Sequence, residues 1–223
     1  MLSMRTDEFL EAIQKGNLPI INQLLDATPI LANSKAKNGV SAILLALYHG
    51  HQDIAQTIAA KKHELDLFEA SVLGKLEQVK NLVSHDPSLV DSYSPDGFPP
   101  VALAAYLGQK EITEYLILKG ANVNAIAKNA TGFTALTGAI ANNHAEISKI
   151  LVKKGADVNH RYEGGVSPLM EASLNGNLEL VKFLLENGAD PNAKTRDEKT
   201  PMSFAKEKNH AEVVEVLKKH GAL

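Results

Sequence analysis

The chain copies itself. Gly120-Ala-Asn-Val-Asn-Ala125 returns 35 residues later as Gly155-Ala-Asp-Val-Asn-His160, and 33 residues after that as Gly188-Ala-Asp-Pro-Asn-Ala193. A fixed period of this size marks a solenoid, in which each unit buries its apolar side only against its neighbours. This constraint precedes any reading of single residues. In such a chain most residues that look special are explained by the repeat, and function is left to the surface that remains. A continuous stack also replaces the one or two domains that 223 residues would otherwise suggest.

A second repeated segment shows what each unit is made of. Gly74-Lys-Leu-Glu-Gln-Val-Lys-Asn-Leu-Val83 matches Gly176-Asn-Leu-Glu-Leu-Val-Lys-Phe-Leu-Leu185 in type at nearly every position. Leu178, Val181, Leu184 and Leu185 lie at helical spacing, which predicts one buried stripe. Ahead of it, Ser167 and Pro168 suit an N-cap and the first helical position, and Gly176 suits the left-handed residue that closes that helix. The unit reads as helix, tight turn, helix, loop. The turn pairs Asp96-Gly97, Thr131-Gly132 and Gly164-Gly165 predict that each loop is a finger of two short extended arms. Asn124, Asn159 and Asn192 recur at one loop position, where an amide can bridge the backbones of adjacent loops.

These residues resemble the ankyrin repeat. The closest match runs from Ser167 to Ala193, through Ser167-Pro-Leu169, Gly176-Asn-Leu-Glu-Leu-Val181 and Gly188-Ala-Asp-Pro-Asn-Ala193, and the resemblance covers essentially the whole chain. It implies an all-α fold with short β-hairpin-like loops, an α-solenoid of about seven stacked repeats. The sequence departs from the family at the histidine that follows Thr-Pro-Leu, where Leu44, Ala102, Thr137, Met170 and Ser203 stand instead. The hydrogen bond of that histidine is therefore expected to be missing throughout, at a modest cost in stability.

Aligned on the turn between helices, the pairs number seven, with Gly16, Gly50, Gly74, Gly108, Asn143, Gly176 and Asn209 as turn residues. The repeats then fall near 5–35, 36–65, 66–92, 93–125, 126–160, 161–193 and 194–223, in a single domain over 1–223. One step, from Gly50 to Gly74, is only 24 residues. It leaves no room for a finger at 62–66, so five fingers are expected, with a notch at that seam. The notch is also the boundary of a larger duplication, since residues 8–61 align with 66–119 at an offset of 58. It is read either as part of a rigid stack or as a hinge. Lys206 and Lys218 occupy positions that are small or apolar in most of the other pairs, so the stack is expected to end near Leu223.

Chemistry is sparse. There is no cysteine, which excludes disulfides and thiolate sites. Net charge is −3, giving no general pull toward nucleic acid or anionic membrane. Met1–Glu8 has no apolar core of a leader, and no apolar run approaches the ~20 residues that cross a bilayer. A cytoplasmic, monomeric protein without cofactor or metal is the expectation. His51, His144 and His210 share one slot after the turn and read as structural. The C-terminal Lys194, Arg196, Lys199, Lys206 and Lys208 are interspersed with acids and read as a solvated face.

What remains is a surface. The resemblance implies that finger tips and first helices line a concave face that binds partners. Carried over by position, the candidates are Tyr48, His49, Phe98, Tyr106, Leu107, Phe133, Asn142, Tyr162, Val166, Leu174 and Asn175, with Val40 among the finger positions. Four of the 11 aromatics, Tyr48, Phe98, Tyr106 and Phe133, fall there, and exposed aromatics rimmed by polar residues suit the core of a protein interface. The alternative is that they pack finger against helix within each unit. The functional expectation is a non-catalytic protein-interaction module acting as scaffold, adaptor or inhibitor. The resemblance to compact, cysteine-free members suggests a bacterial origin, and a host-directed effector would use the same surface. An enzyme with a site at the notch, around His63, Glu64 and Asp66, is the reading of a different class.

Overall fold

Seven residues at the ends of short helices set the architecture. Gly16, Gly50, Gly74, Gly108 and Gly176 have φ between +69° and +79°, and Asn143 and Asn209 have φ of +58° and +60°. These are the seven turn residues expected from the sequence. Only glycine and, at some cost, asparagine occupy this region readily, so each one closes a first helix and reverses the chain.

The computed structural model describes residues 2–223. Met1, at the start of the segment read as lacking a leader, lies outside them. Among the described residues the chain is all-α, with fourteen helices and two isolated β-bridges, Lys35 with Ser41 and Tyr162 with Val166. The helix pairs are α1 (Leu2–Gln14) with α2 (Leu18–Ala27), α3 (Ala42–Tyr48) with α4 (Gln52–Ala60), and α5 (Leu67–Val72) with α6 (Leu76–His85). They continue as α7 (Pro100–Tyr106) with α8 (Lys110–Leu118), α9 (Ala135–Ala141) with α10 (Ala145–Lys153), α11 (Pro168–Leu174) with α12 (Leu178–Glu186), and α13 (Pro201–Glu207) with α14 (Ala211–Lys219). The duplication is visible in the element bounds: α2, α3 and α4 shifted by 58 give α6, α7 and α8, and the 3₁₀ turn Pro29–Asn33 becomes Pro87–Asp91.

The chain divides into two compact units. The first runs to Leu89 and takes in Tyr93–Asp96; the second comprises Val90–Ser92 and Gly97–Leu223. Residues 62–66 therefore lie inside the first unit. In the first unit α1 packs on α3, α2 on α4 and α3 on α5, around Phe9, Ile13, Ile21, Leu25, Ile43 and Ile58, all of them buried. In the second, α7, α9, α11 and α13 pack in series, and α8, α10, α12 and α14 do the same behind them. Leu103, Leu116, Leu136, Leu151, Leu169 and Leu184 fill that core.

Caps start the first helices as the sequence suggests. The Ser167 hydroxyl accepts from Met170 N and Pro168 occupies the first helical position. The bond expected to be missing throughout is instead rebuilt in several repeats by a different side chain. Thr137 Oγ1 accepts from Thr134 N at 2.8 Å, Ser203 Oγ from Thr200 N at 2.8 Å, and Glu69 Oε2 from Asp66 N at 3.2 Å. A short hydroxyl three residues into the helix reaches back to the cap as a capping box does, so no histidine is needed.

The slot histidines are structural. His144 Nε2 donates to the Tyr106 carbonyl at 3.1 Å and His210 Nε2 to that of Leu174 at 3.0 Å. Each ring lies on the turn glycine one repeat earlier: a Cβ on Gly176 would come within 2.5 Å of His210, and one on Gly108 within 2.8 Å of His144. Where the turn residue is Asn143, the next repeat carries Asn177 in the slot, and the two amides bond at 2.7 Å.

Candidate functional site

Fingers position the surface of the second unit. Lys128 N donates to Gly97 O at 2.7 Å, Glu163 N to Thr131 O at 3.0 Å, and Arg196 N to Gly164 O at 2.9 Å. Successive fingers are thus joined backbone to backbone. Below them Asn124 accepts from Asp157 N at 2.8 Å and donates to Gly155 O at 2.9 Å. Asn159 and Asn192 make the same two bonds one and two repeats on, to Asp190 N and Gly188 O and to Leu223 N and Gly221 O. The bridging role expected for these asparagines is what they perform.

On this frame sit most of the expected surface residues. The Phe133 and Tyr162 rings meet at 5.0 Å between centroids with a 55° tilt, within the range of favourable aromatic pairs. The Tyr162 hydroxyl donates to Glu171 Oε2 at 2.8 Å. Burial, and then the negative charge of Glu171, hold this phenol well above the ordinary tyrosine range. Tyr106 lies over Gly138, whose missing side chain leaves the room: a Cβ there would stand 3.4 Å from Tyr106 Cβ. Phe98, Leu107, Val166 and Leu174 are half-buried, whereas Asn142 and Asn175 are exposed. Asn175 Nδ2 donates to Ile140 O at 2.9 Å.

The first unit holds a smaller set. Tyr48 donates to Asp96 Oδ2 at 2.7 Å, and Ser94 Oγ donates to Oδ1 at 2.6 Å. His49 is exposed, its ring 6.4 Å from that of His51. Val40, read from sequence as a surface finger residue, is buried at 3% exposure because the finger turns it inward. A groove of about 420 Å³, lined among others by Asp7, Glu11, Gln14, Lys37, Asn38 and Leu45, lies between α1 and the first finger. No repeat signature pointed to it, since α1 precedes the first finger and has none of its own.

The aromatics are therefore neither fully exposed nor core. They are half-buried, and Tyr48, Tyr106, Phe133 and Tyr162 are each packed on or bonded to another finger or helix residue. Among the described residues the exposed large apolar side chains lie elsewhere, at Met4, Ile20, Ile30, Leu118, Ile126 and Leu223. In the second unit the fingers and first helices carry half-buried rings and exposed amides on a hydrogen-bonded frame.

At the notch, Lys62 Nζ lies 2.7 Å from both carboxylate oxygens of Glu69, with the two side chains 10% and 1% exposed. Asp66 caps α5 by accepting from Glu69 N at 2.8 Å. The charges there staple the chain, while His63 and Glu64 are exposed. Among the described residues no group of three or more His, Cys, Asp or Glu side chains could hold a metal ion. Of the C-terminal basic residues, Lys194 pairs with Glu198 and Lys199 with Glu207. No described helix is long and apolar enough to cross a membrane.

Comparison with known proteins agrees with this geometry. Residues 67–162 match a family described as ankyrin repeats (3 copies), and residues 151–205 match ankyrin repeats (many copies). Ankyrin repeat and SAM domain-containing protein 6 of Rattus norvegicus is 33% identical over 135 residues, 56% of this chain and 15% of that protein. The 26S proteasome non-ATPase regulatory subunit 10 of Dictyostelium discoideum is 32% identical over 94 residues, 42% of this chain and 40% of that protein. Short transient receptor potential channel 3 of Homo sapiens is 23% identical over 151 residues, 55% of this chain and 16% of that protein. The chain thus spans well under half the length of each of these relatives. All three come from eukaryotes, so they lend no support to the bacterial origin expected from the sequence.

Proposed function

This chain belongs to the ankyrin repeat family, whose repeats are generally non-enzymatic protein-interaction modules, and on that premise we propose that it binds a protein partner through its first-helix and finger side, without catalysis or cofactor. The observation that carries the reading is the Phe133–Tyr162 pair, held by a finger-to-finger backbone bond and by Glu171. Side chains fixed in this way lose little entropy when a partner docks, and half-buried rings together with exposed amides at the ends of the first helices, Asn142 and Asn175, have the mixed character of an interface centre. The protein works as a cytoplasmic monomer that scaffolds, adapts or inhibits its partner. The relatives' names bear on those longer proteins alone.

The test uses the full chain as bait in extract of its native cell. Asn142→Arg places a bulky charge on the surface at an exposed residue and should leave stability within about 0.5 kcal/mol of wild type. It should abolish capture of any partner that docks here. Retention of every captured protein by the Asn142→Arg variant would remove the reading. Tyr106→Ala is a poorer probe, because Tyr106 packs on Gly138 and its loss also costs stability.

A further inference from the structure

Of the acidic side chains among the described residues, three are withdrawn from full exposure: Glu69, Asp96 and Glu171. Two have clear structural duties. Glu69 pairs with Lys62 and accepts from Asp66 N; Asp96 accepts from the Tyr48 and Ser94 hydroxyls. Glu171 anchors Tyr162 as Asp96 anchors Tyr48, but it does so with one oxygen only. It receives the Tyr162 hydroxyl on Oε2, and no Lys, Arg or His side chain among the described residues lies in ion-pair range of it. It also occupies a position, four residues after the helix cap, that holds Leu45, Leu103, Gly138 and Phe204 in other repeats. A half-buried carboxylate with one oxygen uncommitted can take a cation on that oxygen.

We propose that Glu171, with the rings of Phe133 and Tyr162, is the seat for an arginine side chain of the protein partner. This rests on the partner-binding reading above and names the chemistry of what that surface accepts. The charge is complementary, since a guanidinium supplies what Glu171 lacks, and Oε1 remains for it while Oε2 is held by Tyr162. The tilted ring pair offers an aromatic face beside the carboxylate. A planar guanidinium can stack on such a face while forking toward a carboxylate, which a lysine ammonium does less well. The Tyr162 hydrogen bond fixes the carboxylate before the partner arrives, so the seat is preformed.

The test is a titration of the ¹⁵N-labelled full chain with the peptide acetyl-Ala-Arg-Ala-amide, followed by amide chemical shifts. The seat predicts saturable shifts confined to 131–133 and 162–171. The same peptide with citrulline, which keeps the shape and loses the charge, should bind about tenfold more weakly or not at all. Glu171→Gln should abolish the response, and Glu207→Gln, at an exposed carboxylate already paired with Lys199, should leave it intact. Phe133→Leu keeps apolar bulk and should weaken binding about threefold to tenfold, which keeps the question answerable should Glu171→Gln fail to fold. Equal binding of the citrulline peptide, shifts elsewhere on the molecule, or an unchanged response in Glu171→Gln would overturn the proposal. Loss of partner capture in Asn142→Arg alongside no arginine binding would remove the seat and leave the partner-binding face standing.

Discussion

Neighbouring helix pairs are joined in two different ways, and the contrast separates what a regular joint needs from what an irregular one must find. In the second unit the joints between 97 and 223 carry fingers, and each is tied by a finger-to-finger backbone bond and an asparagine amide that both donates and accepts, two of them also being crossed by ion pairs with an exposed glutamate, Lys110 with Glu146 and Lys149 with Glu179. In the first unit the joint at 62–66 has no finger, and a buried ion pair, Lys62 with Glu69, stands in its place. The uncharged ties can be copied at every repeat because they use backbone groups that every repeat presents. The ion pair cannot, because it depends on one lysine in a shortened linker and one glutamate near the start of a helix. A fingerless joint therefore puts its dependence on a single residue pair, where a fingered joint spreads it over several bonds.

The largest predicted effect follows from that concentration. Lys62→Met leaves the Glu69 carboxylate 1% exposed without its cation and should cost about 3–5 kcal/mol in urea unfolding. Lys62→Met with Glu69→Leu should recover most of the loss, since an apolar pair of similar volume replaces buried charge at little or no net cost. Amide exchange at 64–67 should be slow in the wild type and accelerate in the single variant. Fast exchange there in the wild type would mean that the seam is the hinge suggested by its missing finger and that the ion pair does not clasp it.

The two kinds of joint also differ in how far the sequence disclosed them. The fingered joints were readable because their residues recur at fixed spacing and their demands are local: a left-handed turn calls for Gly or Asn, and a bridging loop position calls for an amide. The fingerless joint was not. Its helix α5 has six residues where the other first helices after the first pair have seven, so alignment on the turn slips by one at the cap and hides Glu69 in the position of the missing histidine. Lys62 looks like a linker residue because nothing in its neighbourhood shows that the carboxylate is the fourth residue of the next repeat. The surface was half legible. Periodicity brought Phe133, Tyr162 and Tyr106 to one side, but their half-burial depends on room left by Gly138 and on a hydrogen bond to Glu171, which residue spacing does not encode.

Within the fingered region, the turn glycines allow the contact to be separated from the backbone conformation. Gly176→Ala must adopt φ near +70° and also displace the His210 ring, whereas Gly188→Ala at φ near +87° meets nothing within 4 Å. The first should cost about 2–3 kcal/mol and the second about 1 kcal/mol, the difference being the packing of histidine on glycine across a joint. Equal losses would mean that the histidine adds nothing to the tie. Asn159→Ala removes two bonds, to Gly188 O and from Asp190 N, and should cost about 1–2 kcal/mol, well below Lys62→Met. A loss as large as that of Lys62→Met would erase the distinction between the two kinds of joint.

The smallest effect is one of pH. The amide ties carry no titrating proton, so the Asn159→Ala and wild-type stability curves should run parallel from pH 7 to pH 11. Tyr162 behaves otherwise. Its phenol is held above the ordinary value of 10.0 by burial and by Glu171, so the folded chain keeps a proton that the unfolded chain gives up above that pH. By linkage the stability tied to this proton is fully present below pH 10 and declines as the pH rises beyond it. Tyr162→Phe loses the hydrogen bond to Glu171, at about 1 kcal/mol near neutrality. It has no phenol to ionise, so its deficit relative to wild type should shrink between pH 10 and pH 11. A deficit constant over that range would mean that Tyr162 ionises as readily in the folded chain as in the unfolded one. The ring would then be solvated, and the finger it sits on would be held by its backbone bonds alone.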